Sequence, residues 1–330
     1  MVKKKIIQIL KENSTQPVSG ERLSQYLKVS RTAIWKQINQ LRQEGYEIQS
    51  LPSKGYLLKG APDVLSSTEI QSGLKTNILG NKIIHFDSID STNDKTKEYA
   101  LQGIKEGLVV TTEEQIKGKG RKGRAWVSPK GTGIWMSILL RPDILPYQAP
   151  KFTLLAAVAV VKSIREETGL LAQIKWPNDI IVNKKKVCGI LTEMNAELDR
   201  INYIILGIGV NVNQQKEDFP DEVKKRAISL FQAKKEKVSR QSLVRKILEN
   251  LEKYYLNFIE KEDFSSVLEE WKQFSCNLGR EVRAILNGEE IRGIATDITE
   301  EGVLLIRTQE GKLVEISYGD VSVRGIYDYI

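Results

Sequence analysis

Gln115-Ile116-Lys117-Gly118-Lys119-Gly120-Arg121-Lys122-Gly123-Arg124-Ala125-Trp126-Val127-Ser128-Pro129-Lys130-Gly131 is the stretch on which the fold turns. Gly118, Gly120 and Gly123 satisfy the GxGxxG pattern of a dinucleotide-binding α/β sheet. That fold needs a helix directly after the glycines, to aim its N-terminus at pyrophosphate. Here residues 126–131 carry Pro129 and Gly131 and read as a loop. Gly118 to Ala125 also approaches the phosphate-loop pattern, but Arg124 stands where the lysine belongs. Ala125 replaces the hydroxyl residue that would hold Mg²⁺. Both nucleotide folds are set aside. What is left is a glycine loop bearing five cations: Lys117, Lys119, Arg121, Lys122 and Arg124. Glycine lets backbone N–H groups come close to an anion, and arginine adds bidentate recognition of carboxylate or phosphate. A solvated charged loop or a second nucleic-acid patch is the alternative that spacing alone leaves open.

Outward from this loop, apolar runs predict strands at 82–86, 107–112, 134–140, 173–175, 179–182, 187–194 and 201–212. Helices are predicted at 92–101, 152–168 and 240–260. The strands arrive in hairpin-like runs after one long helix, so the fold class is α+β rather than a doubly wound sheet. Residues 281–317 read as short strands, with Asn287-Gly288 a strong two-residue hairpin turn. The expected organisation is an N-terminal module over 1–65, a central domain over 66–272 and a small β module over 273–330.

The N-terminal module carries most of the charge imbalance. Residues 1–65 hold eleven Lys or Arg against five Asp or Glu, so they supply +6 of the chain's +8. A basic module beside a nearly neutral body points to nucleic acid. Ile6, Ile7 and Leu10 fit a first helix. Ser19 can cap a second, with Leu23 and Leu27 on its inner face. Ser30 can cap a third, with Ile34, Ile38 and Leu41 inside. The last two read as a helix-turn-helix over 20–39. Arg31, Thr32, Trp35, Lys36 and Asn39 lie near the outer faces of the last helix. Arg, Thr and Asn can reach base edges, while Lys36 suits phosphate. Tyr46–Ser50 and Tyr56–Leu58 form a hairpin, the wing, whose tip carries Lys54. Gly60-Ala61-Pro62-Asp63 reads as a linker.

Composition excludes several chemistries. The chain of 330 residues has one histidine, His85. A serine triad would have to use it, and a HExxH zinc site needs two. His85 lies in an apolar run and reads as a satisfied strand histidine. Cys188 and Cys276 are far apart without a CxxC pairing, so no metal or disulfide framework is expected, and no residue is assigned as a protein ligand to a metal. Two free thiols suit a reducing compartment. No apolar run approaches the roughly 18 residues of a membrane span. Gln8, Lys11 and Glu12 interrupt any signal-like segment. The expected location is cytoplasmic, with no membrane partner.

Beyond the glycine loop lie Ser91-Thr92-Asn93, Lys175-Trp176-Pro177-Asn178-Asp179, Lys186 with Gly189 to Glu193, and Gly207 to Asn211. Together with Gln115 and Gly118 to Arg124, this ordered set resembles the biotin protein ligases. The N-terminal module makes the resemblance one to the bifunctional ligase–repressor type, and it covers essentially the whole chain. It implies a winged helix-turn-helix, a central mixed sheet with helices, and an SH3-like barrel. It also implies biotin and ATP as substrates with Mg²⁺, biotinyl-5′-AMP as intermediate, and a lysine on the biotin carboxyl carrier domain of a biotin-dependent carboxylase, such as acetyl-CoA carboxylase, as acceptor.

By the same resemblance, Ser91, Thr92, Asn93 and Gln115 would line the biotin pocket. Lys119, Gly120 and Arg121 would close over biotin, with Gly189 beside it. Lys186 would contact carboxylate and α-phosphate oxygens. Trp126 would stack on adenine, with Arg124, Asn178 and Asn211 near the nucleotide. Asp179 would orient these groups and help deprotonate the incoming lysine, which makes Lys186, Arg121 and Asp179 the expected catalytic set. Where the family loop commonly opens with arginine, this chain has Lys119, keeping charge without planar geometry. The adenylate is expected to order the loop and promote a homodimer that reads an inverted-repeat operator. A lipoate ligase and a regulator with an inactive ligase domain are the competing readings. The DNA module and basic loop argue against the first, and Lys186, Arg121 and Asn178 argue against the second.

Overall fold

The computed structural model describes residues 2–286, 289–317 and 322–325. The basic first fifth of the chain forms helices α1 (Val2–Glu12), α2 (Gly20–Leu27) and α3 (Arg31–Gln43), then a hairpin of β1 (Glu47–Leu51) and β2 (Gly55–Gly60). The hydroxyls of Ser19 and Ser30 cap α2 and α3, accepting from the N–H of Arg22 and Ala33 at 3.1 Å each. Each such cap is worth about 1 kcal/mol. Ile6, Ile7, Leu10, Leu23, Ile34, Ile38 and Leu41 close a small core of their own.

A short helix, α4 (Ser67–Gln71), follows, then β3 (Lys82–Phe86), α5 (Thr92–Leu101), β4 (Leu108–Thr112), β5 (Gly133–Leu140) and the long α6 (Pro150–Thr168). Next come β6 (Gln173–Lys175), β7 (Asp179–Val182), β8 (Lys185–Ala196), β9 (Ile201–Asn211), the short α7 (Asp221–Lys224) and α8 (Leu230–Lys234), α9 (Arg240–Lys261) and α10 (Ser265–Phe274). The seven strands form one sheet in the order β3-β4-β5-β9-β8-β7-β6. Only β3 and β4 pair in parallel; the other pairs are antiparallel. The mixed sheet agrees with the α+β expectation.

Both faces of the central strands are covered, which is why β5 is buried along its whole length. On one side Ile134, Met136, Ile138, Leu206, Ile208 and Val210 pack in the same core as Phe152, Leu155, Ala159 and Leu251 of α6 and α9. On the other side Leu139, Tyr203 and Ile205 meet Ala100 of α5. That second side stays partly open beyond α5, and the open part is the site.

The last strands, β10 (Glu281–Leu286), β11 (Glu289–Ile298), β12 (Leu304–Thr308), β13 (Leu313–Ile316) and β14 (Ser322–Gly325), form an antiparallel sheet in the order β13-β12-β11-β10-β14. This is the small β module, compatible with a barrel. Asn287-Gly288, the predicted hairpin turn, lies outside the described residues. The predicted linker is fixed in place: its Asp63 is bonded to the side chain of Arg240 at 3.0 Å. No helix among the described residues is long and apolar enough to cross a membrane.

Candidate functional site

Strand alternation builds the floor of the site. Gly207, Gly209 and Asn211 lie on one face of β9, since side chains two apart share a face. Gly189 of β8 pairs with Gly209, and Ser137 of β5 pairs with Gly207. Lys186 should point the opposite way from Gly189, three residues along. A bulge in the β7–β8 ladder inserts one extra residue and restores the parity, so Lys186 faces the same side. The glycines are needed for space. A Cβ at Gly209 would stand 2.6 Å from the Trp126 ring nitrogen, and one at Gly189 3.0 Å from the same ring.

Above this floor is a cavity of about 600 Å³. Its lining includes every residue expected to meet biotin or nucleotide: Ser91, Thr92, Asn93, Gln115, Lys119, Gly120, Arg121, Arg124, Trp126, Asn178, Asp179, Lys186, Gly189 and Asn211. At one end the amide-bearing residues are already bonded together. Gln115 Oε1 accepts from the N–H and hydroxyl of Thr92 at 2.9 and 3.0 Å, and Gln115 Nε2 donates to Ser128 at 2.9 Å. Ser137 donates to Thr92 Oγ1 and Asn93 Oδ1, while Asn93 Nδ2 donates to Glu193 at 2.5 Å. Ser91 caps α5 and anchors this group.

At the other end sit the cations. Lys119 bonds Asp94 at 2.7 Å, and Arg121 Nη1 donates to Asn178 Oδ1 at 3.2 Å. Asn178 Nδ2 donates to Ile190 O at 2.7 Å, which fixes the loop between β6 and β7. Lys186 Nζ lies 2.6 Å from Asp179 and 5.0 Å from the Trp126 ring centroid. The Trp126 ring nitrogen is buried without a hydrogen-bond partner. Asn211 is buried and bonded to Ile228 O and Gln214, both at 3.4 Å.

Trp176 borders the cavity, but its ring is spent on packing. Its indole is 1% exposed, with Nε1 donating to Gly302 O at 3.1 Å, and its own N–H donates to Asn277 at 2.7 Å. The reaction loop is thus pinned to the C-terminal sheet. His85 is bonded to Thr111 at 3.1 Å, and burial lowers its pKa below the usual histidine value. It packs where a strand histidine was expected. Burial pushes both cysteine thiols up, Cys276 to about 12, which removes them as nucleophiles.

Sequence reasoning missed the segment 219–227. Phe219, Glu222, Val223 and Arg226 line the cavity mouth. The N–H of Lys186 donates to Arg226 O at 2.8 Å, and Lys186 O accepts from Ile228 at 2.9 Å, so this segment also holds the backbone of Lys186. No spacing pattern marks it. Phe219-Pro220-Asp221-Glu222 reads as an ordinary surface turn.

On the outer face of α3, Arg31, Thr32, Trp35 and Lys36 are exposed, as is Lys54 at the wing tip. Asn39 is half-buried and accepts from Arg42 at 3.2 Å.

A family profile described as "HTH domain" matches residues 2–57, one described as "Biotin/lipoate A/B protein ligase family" matches 85–211, and one described as "Biotin protein ligase C terminal domain" matches 278–324. The bifunctional ligase/repressor BirA of Bacillus subtilis (strain 168) is 45% identical over 311 residues, spanning 94% of this chain and 95% of the relative. The chain belongs to the bifunctional biotin ligase/repressor family. The Escherichia coli (strain K12) member is 29% identical over 309 residues, covering 93% of this chain and 92% of its own. A solved biotin protein ligase from Aquifex aeolicus, in complex with biotin and ATP, superposes with a TM-score of 0.65 at 31% identity. It covers 74% of this chain and 99% of its own. The family architecture thus extends over all three modules described above.

Proposed function

We propose that this protein condenses biotin with ATP to biotinyl-5′-AMP, passes the biotinyl group to a carrier lysine, and represses transcription when the adenylate stays bound. The carrying observation is the two-ended cavity, with bonded amides at one end and paired cations at the other, in a chain with this family membership.

In the first step a biotin carboxylate oxygen attacks the α-phosphorus and pyrophosphate leaves. Two anions must approach, so positioning and charge neutralisation carry the barrier. The Ser91–Asn93 segment and Gln115 receive the ureido end. Lys186 exchanges Asp179 for the carboxylate and α-phosphate oxygens. Arg121 and Lys119 close over the adenylate, and Trp126 offers a face to adenine, with Arg124, Asn178 and Asn211 around the nucleotide. Mg²⁺ brought with the nucleotide would supply screening of phosphate charge. Among the described residues no group of three His, Cys, Asp or Glu forms a protein cage for it. Asp179 and Glu222, the carboxylates within the lining, would be the residues to hold it.

In the second step the carrier lysine amine attacks the acyl carbon, AMP leaves and an amide forms. Asp179, released from Lys186, accepts the amine proton. The carrier is the biotin carboxyl carrier domain of acetyl-CoA carboxylase or another biotin-dependent carboxylase. Two copies dimerise with adenylate bound and present Arg31, Thr32, Trp35, Lys36, Asn39 and Lys54 to an inverted repeat. We place the divisions between the three domains near residues 65 and 272.

The test incubates the chain with ATP, Mg²⁺, labelled biotin and an apo carrier domain. Label on the carrier is expected; none would leave only a regulator with an inactive ligase domain. Faster transfer of lipoate than of biotin would move the assignment to a lipoate ligase.

A further inference from the structure

Outside the cavity, Arg240 combines complete burial with four side-chain hydrogen bonds. It is 0% exposed at the start of α9. Its Nε donates to the Asp63 carboxylate at 3.0 Å and its Nη2 to Asp63 O. Its Nη1 donates to Glu113 Oε2 at 2.8 Å and to Gly133 O at 3.1 Å. The buried Glu113 carboxylate also accepts the N–H of Leu65 at 2.8 Å, and Thr111 donates to Leu65 O at 2.8 Å. Gln241 Nε2 holds Pro62 O at 3.0 Å. The stretch joining the DNA-binding helices to the ligase body is therefore strapped down at consecutive residues.

Glu113 also has a place in the ligand site's architecture. It follows β4 directly and stands two residues before Gln115, where the glycine-rich excursion leaves the sheet. The excursion returns at Gly131, whose N–H donates to Glu113 O at 3.1 Å. Two residues later Gly133 O is held by Arg240. Both feet of the loop over the cavity thus rest on the residue pair that clamps the linker. A rearrangement of that loop on filling or emptying of the cavity pulls on Glu113 and Arg240, and they pull on residues 62–65.

We propose that Arg240 is a positioning residue that couples occupancy of the cavity to the setting of the DNA-binding domain, through Glu113 at the feet of the glycine loop and Asp63 in the linker. This rests on the reading that the loop closes over biotinyl-5′-AMP. Coupling of this kind is reciprocal: if adenylate raises operator affinity, operator DNA must raise adenylate affinity by the same factor. A buried ion pair is weak evidence for stability but fits a role in fixing one arrangement among several.

The experiment uses the full chain and an operator duplex selected from a random-sequence pool by the wild-type protein with biotinyl-5′-AMP. Operator affinity is measured with and without the adenylate for wild type, Asp63→Asn and Arg240→Lys. Asp63 is half-exposed, so Asp63→Asn keeps the test alive if Arg240→Lys does not fold. The expected result is at least a tenfold drop in the adenylate-dependent gain in operator affinity. The carrier-biotinylation rate should stay within threefold and the melting temperature should be little changed. Operator DNA should lose its effect on adenylate affinity by the same factor. Equal loss of operator affinity with and without adenylate would make Arg240 mere scaffolding and overturn the proposal, as would an unchanged gain. A wild-type chain whose operator affinity ignores the adenylate would overturn the repressor reading itself. A wild-type response that persists in Asp63→Asn overturns only the coupling.

Discussion

At the amide end of the cavity, Thr92, Asn93, Gln115, Ser128 and Ser137 are bonded to one another inside the protein; at the cationic end, Lys119, Arg121 and Lys186 hold partners that a substrate can replace. The first end has its geometry before any ligand arrives, and a neutral polar ligand gains from that preorganisation. The second end must accept a triphosphate, release pyrophosphate and admit an amine, so its charges need temporary partners. Asp94, Asn178 and Asp179 keep the cations from repelling one another in the interim. On the proposed roles, fixed amides would serve recognition, while cations held by the exchangeable partners Asp94, Asn178 and Asp179 would serve catalysis.

This contrast can be broken by experiment. The largest effect is expected from Lys186→Ala, which removes charge neutralisation where charge develops. Biotin-dependent pyrophosphate exchange should fall about 10²–10³-fold, the range for losing one such group. Biotin affinity, measured by calorimetry, should change only a few-fold; equal losses would mean the two ends are not separate. Asn93→Ala should do the reverse. It removes one partner from the exposed Glu193 carboxylate and one from the buried Ser137 hydroxyl, which keeps Thr92, and a lost bond of this kind costs about 0.5–1.5 kcal/mol. Biotin Kd should weaken by roughly 2–10-fold on that basis, with saturated turnover nearly kept.

Within the cationic end, Arg121→Ala should speed adenylate dissociation by about tenfold, whereas Lys119→Ala should change it by about threefold at most, an exposed lysine pair being worth little. Equal dissociation rates would remove the distinction drawn from Asn178 and Asp94. The smallest effect concerns His85. Burial lowers its pKa, against the attraction of Glu113 and Asp87 and with the repulsion of Arg240. The folded chain thus favours neutral imidazole, while the unfolded chain takes up a proton near the ordinary value of about 6.5. Stability from this group is present above that pH and is lost as pH falls through and below it. Melting curves from pH 8 to 5.5 should therefore fall less steeply for His85→Gln than for wild type; a steeper fall would show the sign to be wrong.

Much of this was legible in the sequence because it rests on local periodicity. Ser19 and Ser30 mark helix starts by their own chemistry, and the strand runs declare themselves by apolar content. The cations at 119–124 announce an anion, whereas the crowding that requires glycine at 189 and 209 shows only once Trp126 is in place. What stayed hidden depends on distant partners. Arg240 looks like any helix-terminal arginine until the sheet brings Glu113 to it. Asp63 looks like part of a loose linker for the same reason. Trp176 gives no sign of its partners until Asn277 and Gly302 arrive from a hundred residues away. Residues 219–227 carry no pattern, because their task at Lys186 is done by backbone groups that every sequence has.

The pinning of Trp176 bears on how small a working enzyme can be made. A chain cut after residue 272 would keep every side chain of the cavity. It would also lose Asn277 and Gly302 and leave an uncovered indole between Lys175 and Asn178, in the loop that holds Arg121 and Lys186. A miniature labelling enzyme derived from this protein must therefore retain the C-terminal sheet or replace Trp176 with a residue at ease in water.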